Sequence, residues 1–211
     1  MPAQAAKAAG GAHIVDDAGV ETPGHCHMEN WGTTASGRTG LVNVALACTV
    51  SALPSVEWGG FIAHGWTPED NDTLVGLSPK ILLTSEEQGL GIGISASFAY
   101  GIDRHRWETA SVIIPLTMPV SKSLRVNMNA GWQWTRIAKE HDLFLGAQAE
   151  IKLARRIMLM TEALARDRGR MGGQTGIRWT GANGRLNIDL LAGRYLDGET
   201  SHALTFGITM R

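Results

Sequence analysis

No run of apolar residues in this chain reaches the roughly 18 that a membrane helix needs, so it does not cross a bilayer as helices. The absence leaves strands untouched, because a transmembrane strand needs only about ten residues and alternates apolar with polar. Charge is sparse too. Charged residues make up 18 % of the 211, below the roughly 25 % of soluble domains. A net charge of -1 and a pI of about 6.7 provide no basic face for nucleic acid. Cysteine is confined to Cys26 and Cys48. The run His25-Cys26-His27 lacks the separated ligand pairs of a zinc site, so neither a metal nor any other cofactor is expected. The start has no apolar core of a signal peptide: Met1 to Gly11 is small and polar. Pro2-Ala3-Gln4-Ala5 looks like the end of a cleavage site. Three readings stay open: a core upstream of Met1, a Met1 heading a mature chain, or an Ala/Gly-rich tail.

What is present is alternation. From Leu124 to Thr135, one parity holds Leu124, Val126, Met128, Ala130, Trp132 and Trp134, and the other holds Arg125, Asn127, Asn129, Gly131, Gln133 and Thr135. Side chains of a strand alternate faces, so this segment has one apolar and one polar side. Twelve such segments follow one another: 25–35, 40–51, 55–66, 74–85, 89–100, 107–119, 124–136, 142–153, 157–166, 171–180, 185–196 and 201–211. The weakest is 157–166, where Met158 and Met160 interrupt the polar row. Arg194 falls on the apolar parity, which predicts a strand end or a bulge there.

The turns alternate as well. Leu53-Pro54, Glu87-Gln88, Ser121-Lys122, Arg155-Arg156 and Asn183-Gly184 are tight. Most of the others are longer and more charged, as on the outer side of a bacterial outer-membrane barrel. The pattern predicts an all-β fold: a closed antiparallel up-and-down transmembrane β-barrel of about twelve strands, residues 25–211. Residues 1–24 are expected on the periplasmic side, as a residual signal region or as a plug in the lumen. Apolar-parity aromatics fall near strand ends, with Trp66, Tyr100 and Trp134 toward the long loops and Trp58 and Trp179 toward the short turns. These form two interfacial girdles. A soluble barrel would also alternate, but its surface row would be rich in Lys and Glu rather than in Gly, Ser, Asn and Gln.

A first hairpin turning at Gly37-Arg38 opposes residues whose numbers sum to about 74, which places Cys26 opposite Cys48 and predicts a cross-strand disulfide. Two nearby free thiols are the alternative. The polar parity defines the lumen. Its charges are Glu29, Glu57, Glu150, Glu162 and Asp189 against Lys80, Arg125, Lys152, Arg166 and Arg178, joined by Asn127, Asn129, Gln133 and Gln148. A balanced set describes a narrow bore crossed by ion pairs rather than a strongly ion-selective one. Arg125 and Lys152 are expected at one level near the short-turn rim, with Glu150 diagonal to them.

The entry Asp16-Asp17-Ala18-Gly19-Val20, followed by Pro23-Gly24-His25-Cys26-His27-Met28-Glu29-Asn30-Trp31, resembles the start of mature proteobacterial outer-membrane β-barrels of a transporter family related to phenol-degradation meta-pathway barrels. The second cysteine, one strand later, looks like that group too. The ending Phe206-Gly207-Ile208-Thr209-Met210-Arg211 departs from it, because such barrels usually close on an aromatic residue. The resemblance implies a channel or transport role.

The resulting expectation is an outer-membrane channel for small organic solutes in contact with membrane lipid and lipopolysaccharide, the latter at the rim stretch Arg166 to Arg170. A structural or adhesive barrel is the alternative. A lipid-modifying enzyme ranks third. Its outward histidines, His64 and His202, have no serine partner on their face, so no catalytic residue is assigned. Oligomeric state is not readable.

Overall fold

A computed structural model describes residues 12–136, 140–167, 171–195 and 202–211. The cleavage-site-like Pro2 to Ala5, Lys139 of the loop expected at 139–142, the whole loop expected at 197–201, and the rim residues 168–170 lie outside that set. The described residues form thirteen strands: β1 (His25–Ala35), β2 (Thr39–Thr49), β3 (Val56–Trp66), β4 (Asn71–Leu77), β5 (Lys80–Thr84), β6 (Gly91–Gly101), β7 (Arg106–Pro119), β8 (Leu124–Thr135), β9 (Glu140–Ala154), β10 (Ile157–Arg166), β11 (Met171–Gly181), β12 (Leu186–Tyr195) and β13 (Ala203–Met210). β4 and β5 are halves of one crossing, separated at Ser78-Pro79. Proline has no N–H for the ladder, and Ser78 N–H donates instead to Gly59 C=O at 2.9 Å. Counted this way the barrel has twelve strands. All pairings are antiparallel, and β1 closes the sheet against β13. Closure leaves no free edge.

The outward rows are apolar and bare. Val44, Ile62, Leu77, Leu143 and Leu190 are each more than half exposed. A continuous apolar belt of this kind is untenable in water and natural in lipid. Trp58, Trp66 and Trp179 sit on the outward rows near strand ends, and so do Tyr100 and Trp134. Trp107 joins them: a bulge makes Glu108 the extra residue between the pairs Tyr100–Trp107 and Ala99–Thr109. The two rings then meet edge to face at 5.6 Å.

Three details differ from the sequence expectation. β4 starts at Asn71, three residues before the expected strand. β12 passes Arg194 in unbroken register opposite Gly173, so the strand neither ends nor bulges there. An exposed arginine near the rim can extend toward the headgroups instead. β9 begins at Glu140, two residues earlier than the pattern implied. That tightens the connection from β8 and moves the register by two, so Arg125 faces Glu150 directly rather than sharing a level with Lys152. A shift of two leaves every side chain on its face.

The first hairpin pairs Cys26 with Cys48, and the two are bridged. The bridge lies on the outward row with Met28 and Leu46. Thiol titration of unreduced, denatured protein should find no free thiol. The C26S/C48S variant should remain a barrel, at a cost below the ~2–5 kcal/mol of small disulfide domains, because the ladder already holds this hairpin. In single-tryptophan variants, brominated lipid should quench Trp58 strongly and the inward Trp31 weakly; the reverse order would contradict the assigned faces.

Candidate functional site: a bore occupied by its own N-terminal segment

Residues 12–24 run inside the barrel. The reversal from β1 into the bore occurs at Gly24, whose φ of 85° is one that glycine adopts without strain. Gly24 N–H donates to Thr49 C=O at 2.6 Å. From the short-turn rim the segment climbs past inward side chains that take the place of a strand partner. Glu21 N–H donates to Glu57 at 2.7 Å, and Ala18 N–H to Thr117 Oγ1 at 2.9 Å. Asn129 holds Asp16 at both backbone groups, at 2.9 and 2.7 Å. Glu162 Oε2 receives the amides of Ile14 and Val15 at 2.9 and 2.8 Å, and its Oε1 lies 2.8 Å from His13 Nδ1. Gln174 donates to Ala12 C=O at 3.1 Å.

The segment's charges meet charges on the wall. Asp16 pairs with Lys80 at 2.8 Å, Asp17 with Arg125 at 2.8 Å, and Glu21 with Arg211 at 3.1 Å. Arg125 also reaches Glu86 at 2.9 Å and Glu150 at 3.2 Å. Asn127 is fully buried, donates to Gln148 and Glu150 and accepts from Thr117. Arg178 grips Asp189 through two contacts of 2.7 and 2.9 Å. Glu29 lies 3.5 Å from His27. Toward the long loops, Arg166 donates to Gln133 at 3.0 Å and covers the Phe144 ring. Lys152 stands apart, exposed near the short-turn rim.

The methionines that break the polar row have a partner as well. Met160 and Leu191, both fully buried, pack on Ala12 with Trp31 and Met158. Phe144, Ile113 and Leu164 pack on Ile14. Gly146 leaves space for the segment: a Cβ there would sit 2.8 Å from Val15. An apolar strip inside a polar bore was the sequence signal for an internal partner. His13, Asp16, Asp17, Glu21, His27, Thr117 and Gln174 were not assigned from sequence. Those of residues 13–21 have no strand parity, and Thr117 and Gln174 look like ordinary polar-row positions.

Residues 12–18 make most of their contacts with β7–β12, and a cavity of about 380 Å³ is left on the side of β1–β7. Four carboxylates line it, those of Asp16, Glu21, Glu29 and Glu57, with Lys80, His13 and His27. Ala45, Ala47, Ser95 and Ser97 keep it open.

Burial would lower the His13 pKa, but the carboxylates of Asp189 and Glu162 outweigh it and hold the imidazole above its ordinary 6.5. Asp189 stands 3.8 Å from Nε2, an ion-pair rather than a hydrogen-bond distance. Burial inside the barrel pushes Asp16 up to about 7 against the pull of Lys80, although 37 % of its side chain still faces the cavity. Burial also opposes ionisation of Asp17, but Arg125 and Lys80 hold it low. A contact with His27 takes Glu21 down to about 2.

The sign follows from these directions. His13 and Asp16 both bind protons more tightly when the segment is docked. Asp16 stops contributing as pH rises from its ordinary 3.8 toward 7, and His13 as pH rises through its raised value. The contribution of Glu21 is present above its ordinary 4.5 and is lost progressively as pH falls from there to about 2. Protease access to the segment should therefore increase as pH rises from about 5 through 7, where Asp16 loses its proton, and further as His13 loses its own, and H13Q/D16N should flatten the profile. In hydrogen exchange, E162A should speed the Ile14 and Val15 amides at least about tenfold while β8 stays protected.

A closed barrel with a lipid-facing belt, interfacial aromatics and a polar interior is a bacterial outer-membrane barrel. The chain belongs to the family described as "Uncharacterised conserved protein UCP029691", whose model matches residues 1–211. No curated protein matches it. Among solved structures it is similar to the KdgM porin, with a TM-score of 0.71 at 6 % identity over 88 % of this chain and 98 % of that one. It is similar to the NanC porin at 0.64 and 8 %, over 87 % and 99 %. The outer membrane protein Omp33 of Acinetobacter baumannii follows at 0.50 and 9 %, over 88 % and 97 %. Identities this low speak for the fold alone.

Proposed function

We propose that this protein is an outer-membrane channel for small organic solutes, closed at rest by residues 12–22 and opened when they leave the bore. One observation carries the reading. The segment is held by side-chain contacts from the wall rather than by a strand ladder, and it leaves a cavity of about 380 Å³ beside it, lined by both carboxylates and apolar side chains. A barrel serving only as a scaffold has no need of a removable filling. The porin neighbours support the channel class, one of them solved as "KdgM porin in complex with disordered oligogalacturonate". The N-terminal resemblance to meta-pathway barrels points to small organic molecules.

With the segment in place, the wall carboxylates and guanidinium groups are largely paired, which favours weakly charged solutes and poor ion conduction at rest. Lipid surrounds the belt. Lipopolysaccharide is the proposed neighbour of the long-loop rim, where Arg106 and Arg136 stand. The reading assigns no catalysis. His64 lies 3.1 Å from Thr73 Oγ1 and stacks on Trp66, a rim arrangement rather than a nucleophile–base pair.

Solute-swelling assays in liposomes test this. The full chain should admit small sugars and amino acids slowly, and a chain lacking residues 1–22 should admit them at least about tenfold faster, as expected when a closed state is removed. Equal, negligible rates from two folded barrels would overturn the channel reading in favour of a structural barrel. Large, strongly ion-selective conductance from the full chain would contradict the paired bore.

A further inference from the structure

We infer that the cavity beside the N-terminal segment is a binding site for a small neutral polyol, a saturated ring with C–H groups on its faces and hydroxyls around its edge. The inference rests on the reading of the bore as a solute path and names the solute's chemical class.

The first observation is a row of hydroxyls. Ser97 of β6 pairs with Ser111 of β7. Ser78 stands at the junction of β4 and β5, where the pairs Leu77–Phe98 and Lys80–Ser95 on either side place it beside Ser97. Ser95 follows one level nearer the short-turn rim. All four serines line the cavity and are half-buried. None of their hydroxyls has a hydrogen-bond partner among the described residues. Elsewhere on the inner face Thr33 meets Thr205 and Thr180 meets Asn187, each at 2.8 Å. A serine hydroxyl can donate one hydrogen bond and accept two, and opposed side chains on adjacent strands start ~4.5–5.5 Å apart. A guest carrying several hydroxyls around one small ring matches such a row.

The second is an acceptor without a donor, in a wall whose charges are already met. Glu57 stands on the level of Lys80 and Ser95. It is 7 % exposed and lines the cavity. Its Oε2 receives the Glu21 N–H at 2.7 Å, and its Oε1 receives nothing among the described residues. A guest hydroxyl donates there without bringing charge. Lys80 holds Asp16 at 2.8 Å and Asp17 at 3.5 Å and also acts on Glu57. Arg211 meets Glu21 at 3.1 Å, and Arg178 acts on Glu29. A net charge on the guest would disturb this balance in a place where unmatched charge is costly.

The third is a stacking face. The Phe61 ring lies over Gly76 of β4, in the space that a side chain at position 76 would take. The ring is thus laid along the wall, and its free side is turned to the cavity that it lines. Gly76 pairs with Ala99, one level from Ser78 and Ser97, so ring and hydroxyls serve the same guest. C–H groups of a saturated ring pack on the electron-rich face of an aromatic one. The volume of about 380 Å³ is at the small end of ligand pockets and suits a single ring. The site lies on the inner face of the sheet, away from lipid, so the guest is a free molecule.

The test is saturation-transfer NMR on the full chain in a polyoxyethylene detergent, which has no polyol headgroup. Glucose and myo-inositol are the probes. Choline and acetate are the charged controls, and cyclohexanol is the ring with a single hydroxyl. Glucose should bind saturably, myo-inositol should compete with it, and the controls should not. S97A/S111A should weaken glucose about tenfold, the order of two hydrogen bonds. F61A, on another strand, should reduce the transfer to the ring C–H protons. Heat-dependent gel mobility identifies the variants that are still barrels, and either one suffices.

No saturable binding of glucose or myo-inositol, equal competition by choline, acetate or cyclohexanol, or unchanged binding by a folded variant would each overturn the site. The channel reading fails separately, in the swelling assay. Binding by a barrel that never permeates would keep the site and remove the channel. Permeation without polyol binding would do the opposite.

Discussion

A strand that crosses lipid has to find partners for every backbone N–H and C=O within the protein, and a sheet closed on itself supplies them all. The rest follows from that closure. It points one parity of each strand at lipid, which makes that row apolar. It points the other parity into a bore too wide for its small side chains to fill. Charges placed there are removed from bulk water and need partners close by.

Residues 12–24 answer part of that requirement. The segment brings backbone amides to Glu162 and Glu57, carboxylates to Lys80 and Arg125, and apolar contacts to Met160, Leu191 and Phe144. Yet it forms no ladder with any strand. Its hold is a series of separate side-chain contacts, each worth about 1–3 kcal/mol at most. A segment held in this way can leave the bore while the barrel stays intact, and proton binding at His13 and Asp16 biases it toward staying.

The barrel was legible because period-two alternation is a local signal repeated along the chain. The Cys26–Cys48 bridge was legible because a two-strand register needs only the position of one turn. The charged wall was legible for the same reason: the rows holding Arg125, Asn127, Glu150 and Glu162 follow from parity alone. What parity does not contain is the partner of each charge. The Arg125–Glu150 opposition depended on whether β9 starts at Glu140 or Asp142, and the two starts leave the faces identical. The role of Asp16-Asp17 was hidden more deeply. The segment has no periodicity, and several of its contacts lie more than a hundred residues away on β8 and β10. Apolar residues where the row should be polar, Met158, Met160 and Leu191 with Phe144 and Leu164, marked the place where it lies.

The central claim is that this segment, seated in the bore, is what closes it. A cross-link tests it most directly. Ala18 N–H lies 2.9 Å from Thr117 Oγ1, so A18C/T117C in a C26S/C48S background places one thiol on the segment and one on the wall. The account predicts that the pair oxidises in the folded barrel, that solute entry into liposomes then stops, and that reduction restores it. Failure of the bridge to form, or equal entry in the bridged and reduced proteins, would contradict the account.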